Sequence, residues 1–261
     1  RYFSGEVFSE AEIRAALRNN INSGSIVPMT MGSNILCQGI YTLLDDIVKY
    51  MPSPENKQVA GISMKNHEIF EANFDFSKPK SAYIFKTIVD PFIGKYSLIK
   101  VYSGVIKSDD LLYNLDKDVE EKVGKIYVLQ GNKPIEVPEL HAGDIGALAK
   151  VTAARTGNTL STKANTIQYG KAEISIPYTY MRYKVKNKAD IDKVSQSLQK
   201  MMHEDLTLKA VNDAENKQML LYGMGDKHLE IIVSRLLNEY KVEIELSKPK
   251  IAYRETIKKT S

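Results

Sequence analysis

The chain is poor in the side chains that carry covalent and metal chemistry. Its 261 residues include one cysteine, Cys37, and four histidines. A single thiol excludes an internal disulfide and any multi-cysteine metal centre, and it suits a reducing, cytoplasmic setting. His67 and His141 fall in loop-like stretches, His203 and His228 at predicted helix ends, and none has a partner at ligand spacing. A metal site is therefore not expected. No Ser/His/Asp or Cys/His grouping suggests a nucleophilic hydrolase. No G-x-x-x-x-G-K-[ST] occurs, so nothing in the chain would cradle nucleotide phosphates or hold Mg²⁺. No run approaches the roughly 18 to 20 apolar residues of a membrane span. Arg1-Tyr2-Phe3-Ser4-Gly5-Glu6 leads toward a charged helix and not into a secretory leader. The missing initial Met suggests a piece of a longer protein.

What is present is ordinary in bulk and uneven in placement. Apolar residues make up 43% and charged residues 26%, the proportions of a globular protein with two to three domains at this length. Net charge is +4. Residues 1–170 hold 19 Lys+Arg against 19 Asp+Glu, and residues 171–261 hold 17 against 13. The basic excess sits in the C-terminal third, a weak pointer to an anionic partner.

Hydrophobic period divides the chain. Ser9-Glu10-Ala11-Glu12 reads as a capping box opening a helix with Ile13, Ala16 and Leu17 inward. Ile26–Thr30 suits a short buried strand. Gly32-Ser33-Asn34 then turns into a second helix with Ile40, Leu43, Leu44, Ile47, Val48 and Met51 on one face, ended by Met51-Pro52-Ser53-Pro54. Residues 55–81 read as a polar connector with some extended character. From Ala82 to about Thr162 the period is two, with runs at 82–89, 96–103, 125–130 and 145–151 and glycines between, which predicts a small closed β-barrel. The next stretch alternates: strand 172–178, helix 189–203 with Ile191, Val194, Leu198, Met201 and Met202 inward, strands 207–212 and 217–222, helix 226–239, strand 241–246. That βαββαβ order is ferredoxin-like.

The most specific stretch is Gly223-Met224-Gly225-Asp226-Lys227-His228-Leu229-Glu230, followed after a helix by Lys248-Pro249-Lys250-Ile251-Ala252-Tyr253-Arg254-Glu255. A Gly-x-Gly turn lets the chain reverse where a side chain would obstruct it. Leu229, Ile232, Val233, Leu236, Leu237 and Tyr240 then share one helical face. The wording resembles the third domain of elongation factor G, the ribosomal translocase GTPase. Phe85-Lys86-Thr87-Ile88-Val89-Asp90-Pro91-Phe92-Ile93-Gly94-Lys95 with Val101-Tyr102-Ser103-Gly104, and the later Gly143-Asp144-Ile145-Gly146-Ala147, resemble that family's second domain. There Asp90-Pro91 before Gly94 would make a tight corner.

Ile26-Val27-Pro28-Met29-Thr30-Met31-Gly32-Ser33-Asn34 resembles the last nucleotide motif of translational GTPases, in which a G-S-A loop touches guanine. The resemblance implies a remnant guanine-contact loop at Ser33 and Asn34. Asn34 replaces the usual Ala there, and Asp226-Lys227 replaces the family's Glu-Leu before His228. Asn187-Lys188-Ala189-Asp190 fits N-K-x-D but follows the G-S-A-like loop where the GTPases have it first. It reads instead as a helix start, with Asn187 as N-cap and Asp190 as a first-turn charge. Arg182, Lys184, Lys186 and Lys188 alternate, with Tyr180 and Tyr183 nearby, so their heads would share one side and could meet a phosphate backbone. A solvated charged face is the plainer reading of the same run.

The resemblance implies an order of domains: 1–54 the end of a GTP-binding domain, 55–81 a connector, 82–165 the barrel of domain II, 171–247 the ferredoxin-like domain III, 248–261 the start of domain IV. The expected fold class is multi-domain α+β. It implies a parent that uses GTP and Mg²⁺ on the ribosome, contacting ribosomal RNA and small-subunit protein, to move tRNA and mRNA. The chain itself would be monomeric, bind no nucleotide and touch no membrane. A divergent paralogue or a tetracycline-resistance ribosomal protection GTPase would share this architecture, and a stand-alone ribosome-binding module without any GTPase is the alternative from another class.

Overall fold

The computed structural model describes residues 2–53, 58–90, 94–131 and 133–256. Two compact units divide the chain, Arg1–Gln58 and Val59–Ser261. The first holds α1 (Glu10–Asn22) and α2 (Ile40–Tyr50). The capping box forms: the Ser9 hydroxyl accepts from the Glu12 N–H, and the Glu12 carboxylate accepts from the Ser9 N–H at 2.9 Å. Neither helix buries a residue. Ile13, expected inward, is half exposed, and so are Ile40, Leu43, Leu44 and Ile47. Residues 26–30 form no strand, and α2 begins at Ile40 after a separate turn through residues 33–38.

The second unit opens with β1 (Ala60–Ser63) and β2 (Ile69–Glu71), so the connector carries a hairpin of its own. The barrel follows: β3 (Ser81–Asp90), β4 (Gly94–Ser103), β5 (Val105–Lys107), β6 (Leu111–Asn114), β7 (Val119–Lys122), β8 (Ile126–Gln130), β9 (Lys133–Val137), β10 (Glu139–His141), β11 (Ile145–Ala149), β12 (Thr159–Ser161) and β13 (Ile167–Gln168). Eight strands pair in the order β7-β6-β12-β3-β4-β11-β8-β9, and β5 and β10 make a separate ribbon. They enclose one core in which Ile84, Ile99, Ile106, Ile126, Leu148 and Leu160 are sealed from solvent. This is the barrel expected from the sequence, and among the described residues no ladder joins β7 to β9. β13 pairs with β1, tying the hairpin to the barrel's exit. The corner expected at Asp90-Pro91 lies largely outside the described residues. The Ser103-Gly104 motif has a steric reason. Gly104 takes φ +71°, and a Cβ there would stand 2.8 Å from the Lys78 carbonyl oxygen and the Lys80 Cα. Beside it Ser103 donates to the Pro79 carbonyl, and Ser81 joins it to the Tyr169 hydroxyl.

The last part of this unit is β14 (Thr179–Val185), α3 (Ile191–Glu204), β15 (Lys209–Asp213), β16 (Gln218–Gly223), α4 (Asp226–Asn238) and β17 (Ile244–Ser247). The sheet order β15-β16-β14-β17 is antiparallel throughout, the ferredoxin-like arrangement with the first and third strands central. Val194, Leu198 and Met201 of α3 and Leu229, Ile232 and Leu236 of α4 pack on one face of it. Ile191 and Leu237, expected inward, are exposed. The first strand is not 172–178, which joins no strand ladder among the described residues; Ile174 and Ile176 there are exposed. Pro177 lacks the N–H a ladder needs. The last strand starts at Ile244, because Lys241 turns through φ +55°.

One carboxylate links barrel and third domain. Glu204, at the end of α3, accepts from the Val89 N–H of β3 at 2.7 Å and from Arg235 of α4 at 2.9 Å. Among the described residues no helix is long and apolar enough to cross a membrane.

Candidate nucleic-acid interface

The helix-covered face of the third-domain sheet takes Met181, Tyr183 and Val185 of β14, Leu221 of β16 and Ile244 and Leu246 of β17. Alternation therefore puts Tyr180, Arg182 and Lys184 on the opposite, outer face. Cross-strand register sets two rows there. One runs Lys209–Tyr222–Tyr180, and the next Val211–Leu220–Arg182–Ser247. The Tyr180 and Tyr222 rings stack at 5.0 Å between centroids, with planes 26° apart.

The structure brings together only part of the basic stripe. Arg182 and Lys184 share the outer face, and neither forms an ion pair among the described residues. Lys184 lies opposite Glu245. Lys186, just past β14, is bound to Glu243 at 2.6 Å, which raises its pKa through the hydrogen bond and the adjacent negative charge. Lys188 sits in the 3-10 turn Lys188–Asp190 that opens α3, where the Asn187 side chain accepts from the Ala189 N–H. Of the two tyrosines expected beside the stripe, Tyr180 belongs to it. Tyr183 is buried on the other face, and burial pushes its hydroxyl pKa up. Tyr222 and Lys209 were missed because they lie on other strands, and register is not written in a strand's own sequence.

The Gly223–His228 turn serves architecture. The Met224 N–H donates to His228 Nδ1 at 3.0 Å, and His228 Nε2 lies 2.9 Å from the Asp205 carboxylate at the end of α3. Burial would raise the Asp205 pKa. Hydrogen bonds from the Thr207 hydroxyl and N–H and the nearby His228 outweigh it and hold the pKa below the usual value. A Cβ on Gly223 would come within 2.8 Å of Leu229 Cδ2 and 3.0 Å of His228 Nδ1, whereas one on Gly225 would meet nothing within 4 Å. Only the first glycine of the pair is sterically required.

The guanine-like loop is a turn closed by its own hydrogen bonds. The Ser33 N–H donates to the Gln38 carbonyl at 3.0 Å, and the Ser33 hydroxyl accepts from the Leu36 N–H. Asn34 gives its carbonyl to the Cys37 thiol. The adjoining cavity is about 180 Å³. Among the described residues no group of three or more His, Cys, Asp or Glu could hold a metal ion.

Comparison with known proteins agrees with this architecture. The family model for elongation factor G domain 2 matches residues 79–163, and that for elongation factor G domain III matches residues 174–248. A crystal structure of a protein from Thermus thermophilus superposes with a TM-score of 0.74 at 28% identity, covering 99% of this chain and 36% of that one. The chain thus spans about a third of that solved relative. With its second and third domains both matched, and in that order, the chain belongs to the elongation factor G family.

Proposed function

We propose that this chain is the middle of an elongation factor G-like translational GTPase that moves tRNA and mRNA through the ribosome in the cytoplasm. The observation that supports this most is the continuous pairing of barrel and third domain in family order within one compact unit. The parent would use GTP and Mg²⁺, with Ser33 and Asn34 as a remnant of its guanine-contact loop. The chain's own contribution is mechanical. Barrel and third domain are two packed bodies joined through Glu204, and bodies of that kind pass on a change of state by shifting against each other as units. Arg182 and Lys184 would face ribosomal RNA as phosphate contacts, with Lys186 and Lys188 at the edge of that surface.

The test uses the full-length parent with ribosomes. Ribosome-stimulated GTP hydrolysis coupled to one-codon movement of mRNA is the expected result. Hydrolysis that releases tetracycline from the ribosome without movement would mark a protection protein instead. Ribosome binding with no hydrolysis at all would leave only a binding module.

A further inference from the structure

We infer that the outer face of the third-domain sheet binds single-stranded RNA, with an unpaired base stacked on the Tyr180–Tyr222 pair and phosphates held by Arg182 and Lys184. The inference deepens the phosphate-contact reading above and rests on it. A groove of about 530 Å³ on this face is lined by Tyr180, Tyr222 and Ile251. Arg182 and Lys184 stand on the same face in the next two rows of the sheet. Asp213, the acidic residue of the groove, is turned to the Asn216 and Gln218 amides at 2.9 and 2.8 Å.

The aromatic end has the form of a slot. Gln218 pairs with Lys250 through its amide, donating to the Lys250 carbonyl at 2.9 Å and accepting from its N–H at 2.8 Å. That clamp holds residues 250–252 as one wall, with Ile251 facing the groove that Tyr180 and Tyr222 line. Tyr180 keeps 44% of its surface exposed while stacked on its neighbour. A stacked pair left open to solvent is a platform for a third flat ring, and the base–aromatic contact tolerates any base. Tyr180 and Arg182 are two residues apart on one strand, about 6.7 Å, a reach suited to placing a base and its own phosphate side by side. Lys209 flanks Tyr222 from the outer strand. A duplex keeps its bases stacked inside, so it could use the cations but not the slot.

The experiment titrates this chain into a labelled short oligouridylate and into an RNA duplex of equal length, by fluorescence anisotropy at several salt concentrations. Neither ribosomes nor GTP enter it, so it is independent of the translocase reading. We expect the single strand to bind at least tenfold more tightly than the duplex. Tyr180→Leu with Tyr222→Leu lowers single-strand affinity about tenfold or more and leaves the salt slope unchanged. The corresponding pair of Phe variants retains binding. Arg182→Gln with Lys184→Gln flattens the slope by about 1.4, two single-strand phosphate contacts. Equal affinity for the duplex, or unaltered affinity in the Leu variant, overturns the inference. If the basic variant still flattens the slope in that case, the phosphate contacts stand and the base slot falls. Should the Leu pair unfold the domain, Tyr180→Leu alone at its half-exposed position decides, a loss of threefold or more supporting the slot and no loss overturning it.

Discussion

Residues 1–58 and 59–261 follow the same local rules and end with opposite burial. In the first, α1 has a complete capping box, and α2 carries Ile40, Leu43, Leu44 and Ile47 at helical spacing, yet neither helix buries anything. In the second, α3 and α4 show the same spacing and bury Val194, Leu198, Met201, Leu229, Ile232 and Leu236. Caps and periodicity depend on neighbours within a few residues, so both regions show them. Burial depends on a second surface, and most helical stability comes from that packing. An amphipathic stripe in a sequence therefore reports a face suited to cover, and not that cover is present.

The largest expected effect lies where cover is complete. Ile232 is 2% exposed between Leu229 and Leu236. Ile232→Ala should cost about 2 to 5 kcal/mol, from lost transfer free energy and the cavity left behind. Urea denaturation of the chain measures it. A loss under about 0.5 kcal/mol, the size of a surface substitution, would mean the α4 face is wrongly assigned.

Gly223→Ala comes next. The added methyl would press on Leu229, which is buried and cannot swing aside, and on the ring nitrogen that accepts from Met224. Overpacking of that kind costs about 1 to 3 kcal/mol. Gly225→Ala is the control, with open space around its Cβ. Equal losses for the two substitutions would show that the turn's backbone, and not the crowding at Gly223, is what demands glycine.

How far the sequence could be read follows from the same contrast. α4 was expected at 226–239 and spans Asp226–Asn238, because a glycine pair, an acidic first turn and a 3.6-residue period coincide there. The barrel strands at 82–89 and 96–103 were legible from period two and flanking glycines. The stretch 172–178 misled. Ala172, Ile174 and Ile176 alternate as a strand would, but the ladder with β16 begins only at Thr179 opposite Gly223. Alternation shows competence for a strand, and pairing needs a partner in register. The interface was half legible for the same reason. Arg182 and Lys184 follow from parity along one strand, while Tyr222 and Lys209 join them only through cross-strand register.

A smaller effect tests the purely local part of the first region. Ser9→Ala removes the hydroxyl that accepts from the Glu12 N–H and leaves that donor to water. About 1 kcal/mol of helix stability should go, seen as fraying of the first turn of α1 in amide hydrogen exchange. Unchanged exchange at residues 10–13 would mean the box adds nothing to a helix that lacks buried contacts.

The smallest effect is expected at Leu44, and it puts the comparison at most risk. Leu44 lies on the same stripe of α2 as Leu43 and Ile47, so by sequence alone it matches Ile232 in α4. It keeps 52% of its surface exposed. Truncating a residue that removes little surface from water forfeits little transfer free energy and opens no cavity. Alanine's higher helix propensity offsets part of what is lost, so Leu44→Ala should shift stability by no more than about 0.5 kcal/mol. The same urea titration that reads Ile232→Ala reads this variant. A loss of about 2 kcal/mol or more at Leu44 would mean that α2 is covered in solution, and the contrast between the two regions would not hold.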